Sequence, residues 1–240
     1  MEWFWDTVDA VGFDLDYTLW NQDDFANSFF EAIAGEFGRR LGRGRSQVVG
    51  ACQGALRRLT LAHPALFDEV LHQLGAWDPR LVAELVDRYH QHRPPALPYP
   101  GVEDTLSRLK RSGFKLFLVT DGHGGTQRHK VEALGLGPWF DQMVFTGDFP
   151  SHRRKPDPFP FQLACGRLGV IPGRCVYVGD NPACDFQGPR RLGMLTIGVS
   201  TGPFAGLEAA PGHSPHLRIG QLEQLTGLIV GAAGSVRSLR

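Results

Sequence analysis

Lysine is scarce in this chain, with four against 21 arginines in 240 residues. Lys155 is therefore hard to dismiss as a random surface lysine, although it follows Arg153-Arg154 and a solvated basic run is its bland reading. Cysteine is equally rare. Cys52, Cys165, Cys175 and Cys184 form no CxxC pair, which excludes the usual zinc spacings. A chain of this length can bury a core without covalent staples, so reduced thiols in a cytoplasmic protein are expected. Net charge is absent: 25 basic residues balance 25 acidic ones. That balance gives no electrostatic reason to expect a nucleic-acid or membrane-surface partner, and Gly-Arg-Gly-Arg at 42–45 is too short to supply one. No window approaches the ~18 apolar residues of a spanning helix. The opening Met-Glu-Trp-Phe-Trp-Asp has neither a basic region nor a long apolar stretch, so no signal peptide is expected.

What is present is a rhythm. Ala10 to Leu15 reads as a buried strand. Phe25, Phe29, Phe30, Ile33, Phe37 and Leu41 then recur at helical steps, an aromatic stripe that reads as helix core. Gly42–Arg45 reads as a loop, and Ser46 as the N-cap of a helix through Leu61. Further helices are predicted over Pro64–Leu74 and from Asp78-Pro79 to His90, ahead of a four-proline linker, Arg93–Pro100. From Gly101 helices and strands alternate. Helices are predicted at 102–111, 126–134, 158–168, 185–192 and 222–230, and strands at 115–120, 143–146, 175–178 and 195–199. The fold class is α/β, a doubly wound parallel sheet with an inserted all-helical domain. Its divisions are 1–20 (core), 21–95 (helical insert) and 96–240 (core). Right-handed crossovers place the strand carboxyl ends along one edge, where such sheets bind ligands.

Four segments bring chemistry to that edge: Phe13-Asp14-Leu15-Asp16-Tyr17-Thr18, Val119-Thr120-Asp121-Gly122, Lys155-Pro156, and Gly179-Asp180 through Asp185. Residues two apart on an extended chain face the same side, so Asp14 and Asp16 can address one ligand. Neighbouring carboxylates are costly unless a cation joins them or one keeps a proton. Mg2+ suits an all-oxygen set, and Asp180 offers a further ligand. Such a set fits phosphate-ester hydrolysis, a reaction needing about 20 kcal/mol of barrier lowering. Asp14 would attack phosphorus, and Asp16 would protonate the leaving oxygen and later accept a proton from water. Thr120 and the amides of the Asp121-Gly122 turn would hold the phosphoryl oxygens, with Lys155 offsetting their charge. Asp185 can orient Lys155 or join the metal set.

The ordered series DxDxT, (V/I)T(N/D)G, KP and GDxxxxD resembles the haloacid dehalogenase superfamily, from about Phe13 to Gly198. The 75-residue insert is similar to that superfamily's C1-type helical cap. Tyr99-Pro100-Gly101 and the run Gln127…Lys130…Leu134-Gly135-Leu136 are similar to its phosphatase branch. The resemblance implies Asp14 as nucleophile and Asp16 as acid/base. It implies Mg2+ held by Asp14, the Asp16 backbone carbonyl and Asp180, and a small phosphate ester as partner. Asp121 departs from the pattern, since related phosphatases more often carry Asn or Ser there. It is counted as a backbone contributor whose carboxylate must point away.

Blander readings stand beside these. Asp185 can cap the following helix; His123, next to the phosphate turn, is either a substrate ligand or an ordinary loop histidine; and Arg57, Arg58 and His63 either reach a phosphorylated substrate or are solvated helix-surface groups. Within enzymes, a 2-haloacid dehalogenase would need neither metal nor Asp16, and a phosphomutase would need substrate-turning groups in the insert. A non-catalytic phosphate sensor would be expected to have lost a motif residue, and none is missing. The insert is expected to act as a lid that selects the substrate.

Overall fold

The computed structural model describes residues 7–59, 63–93 and 95–229. The opening residues read for a signal peptide, the predicted helix end at Thr60–Leu61, Pro94 of the linker and Val230 lie outside them. The chain divides into two compact units, Met1–Asn21 with Leu97–Arg240, and Gln22–Ala96.

The first unit is built on six parallel strands in the order β3-β2-β1-β4-β5-β6. These are β1 (Ala10–Phe13), β2 (Lys115–Thr120), β3 (Gln142–Phe145), β4 (Cys175–Gly179), β5 (Leu195–Val199) and β6 (Leu217–Ile219). Every residue of β1, β4 and β5 is buried, without alternation, as a sheet covered on both faces requires. Ala10 pairs with both Lys115 and Cys175, so β1 lies at the centre, where the strand order reverses. Gly12 is needed there, because a Cβ would sit 2.2 Å from the Phe117 ring. The helices of this unit are α5 (Val102–Arg111), α6 (Gly124–Ala133), α7 (Phe159–Leu168) and α8 (Gln187–Arg191), followed by a last helical stretch at 224–229. All four cysteines are free thiols.

The second unit contains α1 (Gln22–Leu41), α2 (Arg45–Arg58), α3 (Leu66–Gln73) and α4 (Pro79–Gln91). Phe29, Phe30, Ile33 and Phe37 pack with Val48, Phe67, Val70 and Leu85 in its core. Phe29 meets Phe67 and Tyr89 edge-on at 5.8 and 5.4 Å, so the aromatic stripe is packing rather than a binding face. Asp78 caps α4 by accepting from the Arg80 amide. Ser46 is not the cap of α2. Gly44 holds that position, and the Gln47 side chain reaches back to the Gly44 N–H at 2.8 Å. Arg58 pairs with Glu69 at 2.6 Å on the surface of this unit, and His63 accepts from the Ala65 amide. No helix among the described residues is long and apolar enough to cross a membrane.

Candidate active site

Three adjacent strands end at the site. Asp14 follows β1, Thr120 closes β2 and Asp180 follows β4. The Asp14 amide donates to Val178 O at 2.9 Å, which continues the ladder one residue past β1 and fixes where the first carboxylate emerges. Asp14, Thr120, Lys155, Asp180 and Asp185 are all buried.

Carboxylate oxygens of Asp14, Asp180 and Asp185 lie within 4.8 Å of one another. Lys155 Nζ donates to Asp14 Oδ1 at 2.6 Å and to Asp185 Oδ1 at 2.7 Å. Three carboxylates against one ammonium leave a formal charge of −2 in a buried space. The consequence is visible in the proton affinities. Burial, opposed by Lys155 and reinforced by Asp185 and Asp16, pushes Asp14 up to about 8. Burial and the neighbouring Asp185 and Asp14 push Asp180 up to about 9. Burial alone would lower Lys155, yet the Asp14 and Asp185 carboxylates hold its ammonium well above the usual lysine range.

Among the described residues, Asp180 Oδ2 is buried with no hydrogen-bond partner, while Oδ1 receives only the Thr18 hydroxyl at 3.4 Å. An orphaned oxygen in an over-negative, all-oxygen cluster fits a hard divalent cation. Gly202 closes this spot from behind, where a Cβ would lie 2.5 Å from Asp180 Oδ2 and 2.6 Å from Tyr17 Cβ. Asp185 is differently engaged. Its Oδ2 accepts from the amides of Asp180 and Asn181 at 3.1 and 2.8 Å, and α8 begins only at Gln187. It therefore shapes the 180–181 turn and holds Lys155, rather than capping the next helix.

Asp121 accepts through Oδ1 from the Thr146 hydroxyl and, at 3.3 Å, from the Lys155 backbone amide. Its carboxylate thus braces the ends of β2 and β3 against the lysine loop. Gly122 follows at φ 124°, a backbone that side-chained residues rarely adopt, with the Gln127 side chain packed over it. His123 is the N-cap of α6, its Nδ1 accepting from the Thr126 amide at 3.3 Å.

Asp16 stands apart from the acidic cluster. It accepts from Trp20 Nε1 at 2.9 Å, Gln127 Nε2 at 3.0 Å and Lys130 Nζ at 2.9 Å on each oxygen. Gln127 and Lys130 have no assigned role in the sequence reading. Their polar character on a helix face that turns out to be buried is the signal that could have found them.

Residues 8–193 match the family model of haloacid dehalogenase-like hydrolases. The chain belongs to this family. A glyceraldehyde 3-phosphate phosphatase of Methanopyrus kandleri is 34% identical over 208 residues, covering 84% of this chain and 88% of that protein. Pyrophosphatase PpaX of Bacillus pumilus is 31% identical over 234 residues, covering 94% and 98%. The crystal structure of a haloacid dehalogenase-type phosphatase from Thermococcus onnurineus aligns with a TM-score of 0.64 at 25% identity, covering 93% of this chain and 99% of that one. Family and relatives alike make the chain an enzyme of the phosphoric monoester hydrolase type.

Proposed function

We propose that the protein is a Mg2+-dependent phosphatase that hydrolyses a small soluble phosphomonoester through an aspartyl-phosphate on Asp14. The observation that carries this is the buried Asp14–Asp180–Asp185 cluster with its orphaned oxygen, beside Lys155 and the Thr120 turn. Asp14 and Asp180 would hold Mg2+ by their side chains and Asp16 by its backbone carbonyl. Bound there, the cation supplies charge neutralisation for the phosphoryl group. Asp14 attacks phosphorus as the ester P–O bond breaks, and Asp16 gives its proton to the departing oxygen. Water then cleaves the acyl phosphate while Asp16 takes back a proton. Thr120 and the amides of Asp121 and Gly122 hold the phosphoryl oxygens, and Lys155, oriented by Asp185, balances their charge.

Glyceraldehyde 3-phosphate is the first substrate to try, because the relatives bearing that name match over most of their length. A cytoplasmic location suits a soluble phosphoester and four free thiols. Selection among substrates falls, on this reading, to the helical unit. The chain leaves for it after Asn21, close to Asp16, and returns at Leu97, with Trp20 and Pro98 bridged at the crossing.

The test measures phosphate release from glyceraldehyde 3-phosphate, pyrophosphate and p-nitrophenyl phosphate, with Mg2+ and with EDTA. Asp14→Asn should lower turnover by at least about 10³-fold. Turnover that survives EDTA or this substitution, or chloride release from a 2-chloroacid in place of phosphatase activity, overturns the reading.

A further inference from the structure

We infer that Gln127 and Lys130 are positioning residues that set the Asp16 carboxylate at a fixed distance from the phosphoryl-binding hydroxyl of Thr120. This rests on the role given to Asp16 above. The two residues lie three apart on α6, hence on one face of the helix. That face is buried, where apolar side chains are expected, yet both residues are polar. A buried lysine is costly unless paired. Lys130, with 2% of its side chain exposed, meets both Asp16 oxygens at 2.9 Å, a symmetric seat that restricts rotation of the carboxylate.

The Gln127 amide does something Lys130 does not. Its single Nε2 donates to Asp16 Oδ2 at 3.0 Å and to Thr120 Oγ1 at 2.6 Å. One planar group thus ties the end of β2 to the Asp16 side chain. Trp20 Nε1 closes the fourth contact on Asp16 Oδ1. Asp16 follows an extended segment and precedes Tyr17, whose φ of 57° turns the chain away. Nothing in that local backbone fixes a two-torsion side chain, so its aim comes from these long-range donors. Proton transfer to a leaving oxygen is sensitive to misplacement on the ångström scale. Gln127 and Lys130 need not touch substrate to govern it.

The experiment compares leaving groups. An alkyl phosphate needs its departing oxygen protonated, whereas p-nitrophenolate departs with little help. Lys130→Met should lower kcat for the alkyl phosphate about 100-fold with KM unchanged, and lower kcat for p-nitrophenyl phosphate only a few-fold. Lys130→Arg should recover part of the alkyl rate, since a guanidinium can still donate to both oxygens. Gln127→Leu, close in volume and without charge, should shift the same ratio in the same direction, and serves should Lys130→Met fail to fold. Asp16→Asn is run in parallel. If Asp16→Asn separates the two leaving groups while Lys130→Met and Gln127→Leu lower both rates equally or neither, the positioning role is wrong. If Asp16→Asn itself shows no separation, the acid/base reading of Asp16 falls first and takes this inference with it.

Discussion

Asp185 holds Lys155 with one carboxylate oxygen, at 2.7 Å, and reserves the other for the backbone. Of the site carboxylates, the one farthest along the chain is thus the one that organises the lysine loop and the 180–181 turn together. Asp185→Ala removes both anchors, leaving the buried amide of Asp180 and the half-buried amide of Asn181 without that acceptor. A loss of about 3 kcal/mol in urea denaturation is expected, with a raised KM for phosphoester.

The elevated Asp14 and Asp180 affinities set a pH dependence. Each carboxyl has an ordinary value of 3.8 and is pushed to about 8 and about 9 in the fold. Between those limits the folded, metal-free protein binds more protons than the unfolded chain, so its stability falls as pH rises from about 4 toward 9. Mg2+ would replace those protons. Melts at pH 6 and pH 8.5 should show a wider gap between Mg2+ and EDTA samples at the higher pH. A gap that narrows with pH contradicts the assignment of these groups as ligands.

Asp121 offers a contrast between two substitutions. Asp121→Asn can keep an oxygen toward the Thr146 hydroxyl and the Lys155 amide, and kcat/KM should stay within a few-fold of the parent. Asp121→Ala removes the brace and should cost about 1–3 kcal/mol of stability and raise KM. Equal and severe losses in both would mean that the charge of Asp121 matters to the phosphoryl group.

Gly202 is tested by one methyl. Gly202→Ala places a Cβ 2.5 Å from Asp180 Oδ2, so the carboxylate must move. The Mg2+ concentration for half-maximal activity should rise about tenfold, since displaced outer contacts typically weaken metal binding on that scale. Activation by Mg2+ at the parent concentration would show that Asp180 is not a ligand.

Much of this architecture was legible in the sequence. Val102–Arg111, Lys115–Thr120 and Leu195–Val199 are bounded as the periodicity predicts, because apolar runs and turn glycines mark their ends. β6 was not, because Leu217-Arg218-Ile219 is three residues long and carries a charge. Ser46 misled because a good capping residue lay two positions inside the true start, where Gln47 supplies the capping contact. The site segments were readable because each closes a strand. Gln127 and Lys130 were visible only as part of a family-like run. Their contact with Asp16 depends on how α6 is rotated over the sheet, which local spacing does not specify. Asp185 was read as a group that orients Lys155, a metal ligand or a cap; its contacts with the amides of Asp180 and Asn181 were not read, because they depend on the tight turn at 180–181.

The central place of β1 has a consequence for the order in which the protein comes into being. Ala10–Phe13 leaves the ribosome well before its partners, which begin at Lys115 and Cys175. At cellular rates of synthesis the strand waits roughly 5 to 20 seconds for β2, and longer for β4. The helices α1 to α4 emerge in that interval with an apolar cluster of their own, so they can collapse while the first strand is still unpaired. The acidic loop after β1 is therefore among the earliest parts of the site to be made and among the last to find its neighbours.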